Sequence, residues 1–276
     1  MKIYMIVDLE GISGIVSFDK QAHPGGMDYG IARELMLGDV NAAIEGALEG
    51  GAKEIVIYDM HCEGLNLILN KVLYPAKVIL GRPYSSLSQR LLDKTYDGLF
   101  LVGFHSMAET PGGLLTHTYS LDIKEMRLNN KPIGEIGIEA SIVGEMNIPT
   151  LMVCGDSKAI EETKKILPKT VTAIVKKAIS DSAGMSFPIE ESRERIRKAA
   201  KLGIIQAKKI KPLVTKKPVK IEIIFKTPEI IKDISLPKKA QKVSEKEIII
   251  RGNNLYSAWN TYLMLDKNIQ EKKNEK

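Results

Sequence analysis

Apolar positions in this chain form short unbroken runs that alternate with longer stretches of helical period. Ile3-Tyr4-Met5-Ile6-Val7, Ile55-Val56-Ile57-Tyr58, Leu99-Phe100-Leu101-Val102 and Leu151-Met152-Val153-Cys154 are such runs, the pattern of strands buried on both faces. Between the first two, Ile31, Leu35, Met36, Val40, Ala43, Ile44, Ala47 and Leu48 recur at three and four residues. That spacing predicts a helix from Asp28 to about Glu49, stopped by Gly50-Gly51. A β-α-β unit of this length implies parallel pairing through a right-handed crossover. Lys77 to Leu80 and Gly98 to Phe104 add two strands, with a short helix expected around Ser86 to Leu92.

Beyond Gly113 the pattern changes. Leu114 to Leu121 and Glu125 to Leu128 read as extended and Asn129-Asn130-Lys131-Pro132 as a turn, so a hairpin is expected before a helix from Gly134 to Met146. Pro149 to Cys154 is a fifth core strand, ending in Gly155-Asp156, and a helix follows from Lys158 to about Ile166. Weaker patterns place helices at Ile189 to Ala207 and Tyr256 to Leu265, and strands at Val219 to Phe225 and Glu247 to Arg251. The alternation sets the class as α/β, a three-layer, mostly parallel sheet with helices on both faces, plus a smaller α+β C-terminal region. No low-complexity linker separates the two, and the expected boundary lies near residue 180.

Composition adds limits rather than detail. With 276 residues and 44 % apolar content the chain can bury a sizeable core, and no disordered class is indicated. It opens on a strand pattern without a basic-then-apolar leader, and no run approaches about 18 apolar residues. A cytoplasmic protein without membrane insertion is expected. Cys62 and Cys154 are too few for a disulfide framework, which suits a reducing compartment, and Cys62 is read as a bystander rather than a ligand. The net charge of +6 is uneven, with acid in excess through Asp156 and lysine in excess beyond it. A basic half can signal nucleic-acid binding, but here the lysines are scattered, arginines are few and aromatic binding motifs are lacking. A solvated surface is expected, with no nucleic-acid partner.

The chemistry sits where the strands end. Asp8 and Glu10 follow the first run and precede Gly11; Asp59 and His61 follow the second; His105 follows the third. In an open parallel sheet the carboxyl ends of the strands share one edge, where such folds build their sites. A lone Asp after a strand is more often a turn former or helix cap, and a lone His is more often structural. Against that, three of the four histidines, His61, His105 and His117, lie at or just beyond strand ends, while His23 stands in the loop Ala22-His23-Pro24-Gly25-Gly26. Carboxylates combined with imidazoles suit Zn²⁺, Mn²⁺ or Co²⁺ better than Ca²⁺ or Mg²⁺. Glu135, opening the helix after the hairpin, either favours the helix dipole or extends the donor set. With it, five ligands and a bridging Asp8 can hold two ions about 3.5–4 Å apart with positions open for water and substrate.

These residues resemble a known family. The run Asp8-Leu9-Glu10-Gly11-Ile12-Ser13-Gly14, then Asp59-Met60-His61, Gly103-Phe104-His105, Pro111-Gly112 with His117, Pro132-Ile133-Gly134-Glu135 and Leu151-Met152-Val153-Cys154-Gly155-Asp156 resemble, in order and spacing, the binuclear-zinc D-aminopeptidases of the dipeptide-transport type. The resemblance is close from Met1 to about Ser180 and looser beyond. It implies that Asp8, Glu10, His61, His105 and Glu135 hold two Zn²⁺ per subunit, with Asp8 bridging, and that His117 is the catalytic residue outside the ligand set. It also implies a ring-shaped homo-oligomer whose sites face an internal cavity, with residues 1–180 as catalytic domain and 181–276 as oligomerisation surface and pocket walls. One departure is visible: a Ser usual in the family two residues before the first Asp is Ile6 here.

The implied reaction removes the N-terminal residue of short peptides, with D-amino acids as the expected substrates. A metal pair supplies an activated water and a polarised carbonyl, and His117 acts as general acid/base. The rivals are another two-metal hydrolase such as a phosphoesterase, and a non-catalytic metal- or peptide-binding protein. A phosphoesterase wants cations at the site, and the motifs offer only Lys20 and Lys124 nearby, with no glycine-rich phosphate loop.

Overall fold

The computed structural model describes residues 1–81 and 86–274. β1 (Lys2–Val7), α1 (Tyr29–Gly50) and β2 (Glu54–Asp59) form the expected crossover unit, the strands pairing in parallel from Lys2 opposite Glu54 to Val7 opposite Asp59. α1 ends as its sequence demands, with Gly51 at φ 103° returning its N–H to the Ala47 and Leu48 carbonyls. β3 (Lys77–Ile79) and β4 (Gly98–Phe104) follow, then a hairpin of β5 (Ile123–Leu128) and β6 (Lys131–Pro132). Asn129 and Asn130 turn that hairpin at φ 50° and 69°, left-handed conformations that asparagine tolerates. α2 (Glu135–Gly144), β7 (Thr150–Asp156), α3 (Ser157–Ile166), β8 (Val171–Ala178), β9 (Gly184–Ser186) and α4 (Ile189–Gln206) come next. β10 (Val219–Phe225), β11 (Ala240–Ser244), β12 (Glu247–Gly252) and α5 (Leu255–Asn274) complete the chain.

The strands form two sheets. The larger runs β3-β2-β1-β4-β7-β8-β9 and is parallel except for β9; the smaller runs β11-β12-β10-β5-β6 and is antiparallel. On one face of the large sheet Ile3, Met5 and Val7 pack with Met36 and Val40 of α1 and Ile196 and Ile204 of α4. On the other, Tyr4 and Ile6 join Ile136 of α2, Ile160 of α3, Ile221 and Ile250 of the small sheet and Trp259 of α5. Both faces of β1, β4 and β7 are therefore dry, which explains why their apolar runs are continuous. The chain crosses between sheets on both sides of residue 180: β5 and β6 belong to the small sheet, while α4 packs on α1 beside the large one.

Several expectations need correction. Leu114 to Leu121 is not a strand but a looped segment with left-handed turns at Leu115 (φ 52°) and Tyr119 (φ 60°) and one isolated bridge between Thr118 and Ser120. Leu114 and Leu115 are buried in the core and Tyr119 packs against it, while Leu121 is exposed. The helix expected around Ser86 to Leu92 is a single 3₁₀ turn, Leu87–Arg90. β8, β9 and β11 have no clear apolar signature because Lys and Thr interrupt β8, β9 is three residues long and β11 is largely exposed. The mixed-charge tail continues α5 through Asn274, and its last two residues, Glu275 and Lys276, lie outside the described part.

Candidate metal centre

β1, β2 and β4 are adjacent and parallel, so the residues that follow them emerge on one edge. The segment after β1 is drawn against the end of β4: Asp8 N–H donates to the Val102 carbonyl at 2.9 Å and Gly11 N–H to the Gly103 carbonyl at 2.8 Å. Glycine is required on both sides of this approach. A Cβ on Gly11 would stand 2.0 Å from the Phe104 carbonyl oxygen, and Gly103 has φ +78° with its missing Cβ facing the Asp8 carbonyl at 2.2 Å. The loop is then clamped from two elements. Ser13 donates from N and Oγ to Asp39 of α1 at 2.9 and 2.8 Å. Lys176 of β8, fully buried, donates from Nζ to the carbonyls of Glu10, Ile12 and Ile15.

All six residues named from the sequence converge. His61 Nδ1 lies 3.1 Å from Asp8 Oδ1 and 3.1 Å from Glu10 Oε2; His105 Nε2 lies 3.4 Å from both Asp8 Oδ2 and Glu135 Oε1. His117 Nε2 is 3.9 Å from Glu10 Oε1 and 3.8 Å from Glu135 Oε1. Each imidazole uses its other nitrogen on a backbone carbonyl: His61 Nε2 on Ala22 at 2.7 Å, His105 Nδ1 on Ser106 at 3.0 Å and His117 Nδ1 on Leu115 at 3.0 Å. A carbonyl only accepts, so those nitrogens carry a proton, and the inward nitrogens, which face the carboxylates, are the ones a metal would take once they lose theirs, the arrangement found behind metal-ligating histidines. Glu135 sits in the first turn of α2 and accepts from Tyr119 N–H at 2.6 Å.

The donor set fits a metal. Asp8 Oδ2, Glu10 Oε2 and His105 Nε2 are buried without a hydrogen-bond partner among the described residues, although opposing atoms lie close but misaligned. Donor atoms of Asp8, Glu10 and His105 all fall within 4.8 Å of one another, as do those of His105, His117 and Glu135. Such a cluster of buried ligand atoms, two groups sharing His105, needs cations to offset its desolvation. In the protein chain itself, protons do this. Burial works to raise the pKa of Asp8, but the imidazoles of His105 and His61 hold it well below the usual carboxylate range. Burial works to lower both imidazoles, yet Glu10 and Asp8 push His61 well up, and Glu135 and Asp8 do so for His105. Metal binding would release those protons.

The other strand-end residues serve the scaffold. Asp59 accepts from the backbone N–H groups of Asn66 and Leu67 and from Asn66 Nδ2, folding the loop that carries His61. Asp156 caps α3 through Lys158 and Ala159 N–H, at 2.7 and 3.2 Å. Cys62 Sγ lies 3.3 Å from His61 Nε2, on the side away from the carboxylates. His23 is exposed at the rim. Sequence reasoning missed Tyr119, Arg90, Glu139, Trp259 and Lys176, whose roles depend on tertiary contacts without a local pattern.

A cavity of about 240 Å³ opens over the cluster, walled by Met60, Tyr58, Tyr119, Trp259, Tyr262 and Arg90. A parallel α/β sheet with a carboxylate-imidazole centre at its carboxyl edge, beneath an aromatic pocket, defines a metallohydrolase-like class. The D-aminopeptidase family model matches residues 1–264. A D-aminopeptidase of Bacillus subtilis (strain 168) is 33 % identical over 215 residues, 77 % of each chain. The structure of the Zn-dependent D-aminopeptidase DppA from Bacillus subtilis, described as a self-compartmentalizing protease, superposes with a TM-score of 0.92 at 26 % identity, covering 98 % of both chains. The chain belongs to the D-aminopeptidase family.

Proposed function

We propose that this protein is a zinc-dependent aminopeptidase that removes the N-terminal residue of short peptides, D-amino-acid-containing ones above all, at a binuclear centre. Asp8, Glu10, His61, His105 and Glu135 would hold the ions, with Asp8 between them. The observation that carries the reading is the convergence of these buried donors, three of whose atoms lack any hydrogen-bond partner among the described residues. Family membership and the zinc-dependent relative support the choice of metal and reaction. Mn²⁺ and Co²⁺ suit the same mixed donors as substitutes.

When bound, a zinc pair supplies Lewis-acid polarisation of the scissile carbonyl and a water acidified toward neutral pH. The chain's own groups do the rest. The carbonyls of Ala22 and Ser106 orient the His61 and His105 rings, and the Tyr119 N–H orients Glu135. His117, its Nδ1–H held by Leu115, aims Nε2 over Glu10 and Glu135. From there it can carry a proton to the departing amine. The aromatic wall excludes water from the reacting bond.

The residues beyond 180 serve this reading as pocket wall, through Trp259, Tyr262 and Leu263 of α5. We also propose that copies assemble into a ring with the sites facing inward, as the description of DppA suggests. No helix among the described residues is long and apolar enough to cross a membrane, and a cytoplasmic location without a nucleic-acid partner is part of the proposal. The test is a panel of D- and L-aminoacyl p-nitroanilides and short peptides assayed with zinc, manganese and cobalt. Metal-dependent release of the N-terminal residue is expected. Activity on phosphate esters in its place would overturn the reading.

A further inference from the structure

Each of the three imidazoles rests a ring nitrogen on a backbone carbonyl, but the peptide units that supply those carbonyls differ. His105 Nδ1 donates to the Ser106 carbonyl at 3.0 Å, and the N–H of that same peptide unit, on Met107, donates to Glu162 Oε2 at 2.8 Å. For His61 and His117 the corresponding units join Ala22 to His23 and Leu115 to Thr116. Neither N–H meets a carboxylate among the described residues. Glu162 belongs to α3, is 6 % exposed, and has no partner for Oε1 among the described residues. Its carboxyl group fills space that Gly134 leaves open, where a Cβ would stand 2.6 Å from Oε1 and 2.7 Å from the Met107 Cβ. Gly134 immediately precedes the donor Glu135. Glu162 is therefore wedged behind the backbone of two donor-bearing segments, the one leaving β4 and the one entering α2.

A purely structural acceptor for Met107 N–H need not carry a charge. A glutamine oxygen would take that N–H in the same shape, without burying a carboxylate whose other oxygen is unsatisfied. What the carboxylate adds is polarisation. An ionised acceptor on the N–H of a peptide unit pushes electron density toward its oxygen, and hydrogen bonds in such a chain strengthen one another by about 10–30 % per bond. A stronger acceptor at Nδ1 makes Nε2 more basic, and His105 Nε2 is the atom 3.4 Å from both Asp8 Oδ2 and Glu135 Oε1. Carboxylates directly behind metal-binding imidazoles act in this way; here one peptide unit stands between. Burial raises the Glu162 pKa to about 7, with Met107 N–H and the His105 imidazole pulling against it, so the group is ionised near pH 8.

We infer that Glu162 is a positioning residue for the metal centre: through the Ser106–Met107 peptide unit it fixes the tautomer and orientation of His105 and strengthens the hold of Nε2 on a divalent cation. This rests on the metal-site reading. The experiment compares the unmodified protein with Glu162→Gln and Glu162→Ala near pH 8, measuring zinc affinity by chelator competition and the stability of the chelator-treated protein by urea unfolding.

Glu162→Gln keeps the acceptor and removes the charge. Its zinc affinity should fall by about 10-fold for the ion that His105 takes, within the range for outer supports of metal ligands. Its fold should be the more stable of the two, because no buried charge remains unsatisfied. Opposite signs in the two measurements separate polarisation from packing. Glu162→Ala loses the acceptor as well, and its zinc affinity should fall further, toward about 100-fold. Zinc affinity in Glu162→Gln equal to that of the unmodified protein would overturn the inference, and so would a loss confined to Glu162→Ala, since Met107 would then need only an acceptor. Affinity and stability falling together in Glu162→Gln would make the role structural and overturn it equally. Failure of the unmodified protein to take up zinc would remove the metal-site reading, and this inference with it.

Discussion

The imidazole rings of His105 and His117 lie face to face, their centroids 4.0 Å apart and their planes 10° from parallel. One ring follows a core strand; the other rides on a loop. The loop reaches the site through its two left-handed turns at Leu115 and Tyr119, and Phe18 packs edge-on against His117 with centroids 5.3 Å apart. His117 is thereby fixed above the donor cluster with Nε2 slightly farther from the carboxylates than the nitrogens of His61 and His105 are.

This placement, together with the proposed metal pair and ring, predicts that His117→Ala keeps fold, assembly and bound zinc yet loses most peptidase activity. General acid/base assistance is typically worth about 10²- to 10⁴-fold, so turnover should fall by that order with little change in zinc affinity. Metal analysis and steady-state kinetics on the same preparation decide it. Loss of one ion in the variant would make His117 a ligand, a role its inward nitrogen also permits.

The contrast between these two histidines shows what can be read in advance. Asp8, Glu10, His61 and His105 are legible because each closely follows a strand whose apolar run declares it, and parallel topology does the rest. Glu135 and His117 are assigned by resemblance. The strand expected for His117 does not exist, because the turns at Leu115 and Tyr119 leave no mark in residue periodicity. Arg90 and Lys176 are invisible for another reason. A buried cation is recognised by what surrounds it, here Glu139 and three loop carbonyls, and those partners are far away in sequence.

A bridged pair should appear in the metal count. Equilibrium dialysis against zinc, followed by elemental analysis, should give about two ions per chain at saturation. Asp8→Ala should lose the second ion and nearly all activity, since both imidazoles that flank Asp8 would lose their shared carboxylate. Saturation at one ion, or binding indifferent to Asp8→Ala, would rule the bridge out.

Lys176 should affect the metal centre without touching it. Its ammonium gathers the carbonyls of Glu10, Ile12 and Ile15, so Lys176→Met leaves three buried acceptors without their donor. Desolvation of acceptors left unpaired in this way should lower stability by a few kcal/mol, read by urea unfolding. Zinc affinity should fall by roughly 10- to 100-fold, as for outer supports of ligands, read by chelator competition. Unaltered zinc affinity would show that Ser13 and Asp39 suffice to hold the loop.

Glu162 gives the chain a pH-dependent stability whose sign runs against the usual carboxylate. Burial raises its pKa to about 7, opposed only in part by the Met107 N–H that its Oε2 accepts at 2.8 Å; Oε1 has no partner among the described residues. The folded protein therefore binds this proton more tightly than the unfolded chain, whose glutamate titrates near 4.5. The contribution is fully present below that value and is lost as pH rises through about 7. A shift of this size corresponds to roughly 3 kcal/mol. Glu162→Gln is neutral throughout and lacks the slope, so it should match the unmodified protein near pH 5 and be the more stable of the two near pH 8. Urea midpoints of chelator-treated protein at both pH values measure the difference, since bound cations beside His105 would favour the ionised form. A gap between the two proteins that stays constant with pH would mean that Glu162 is ionised in the fold like an ordinary surface carboxylate.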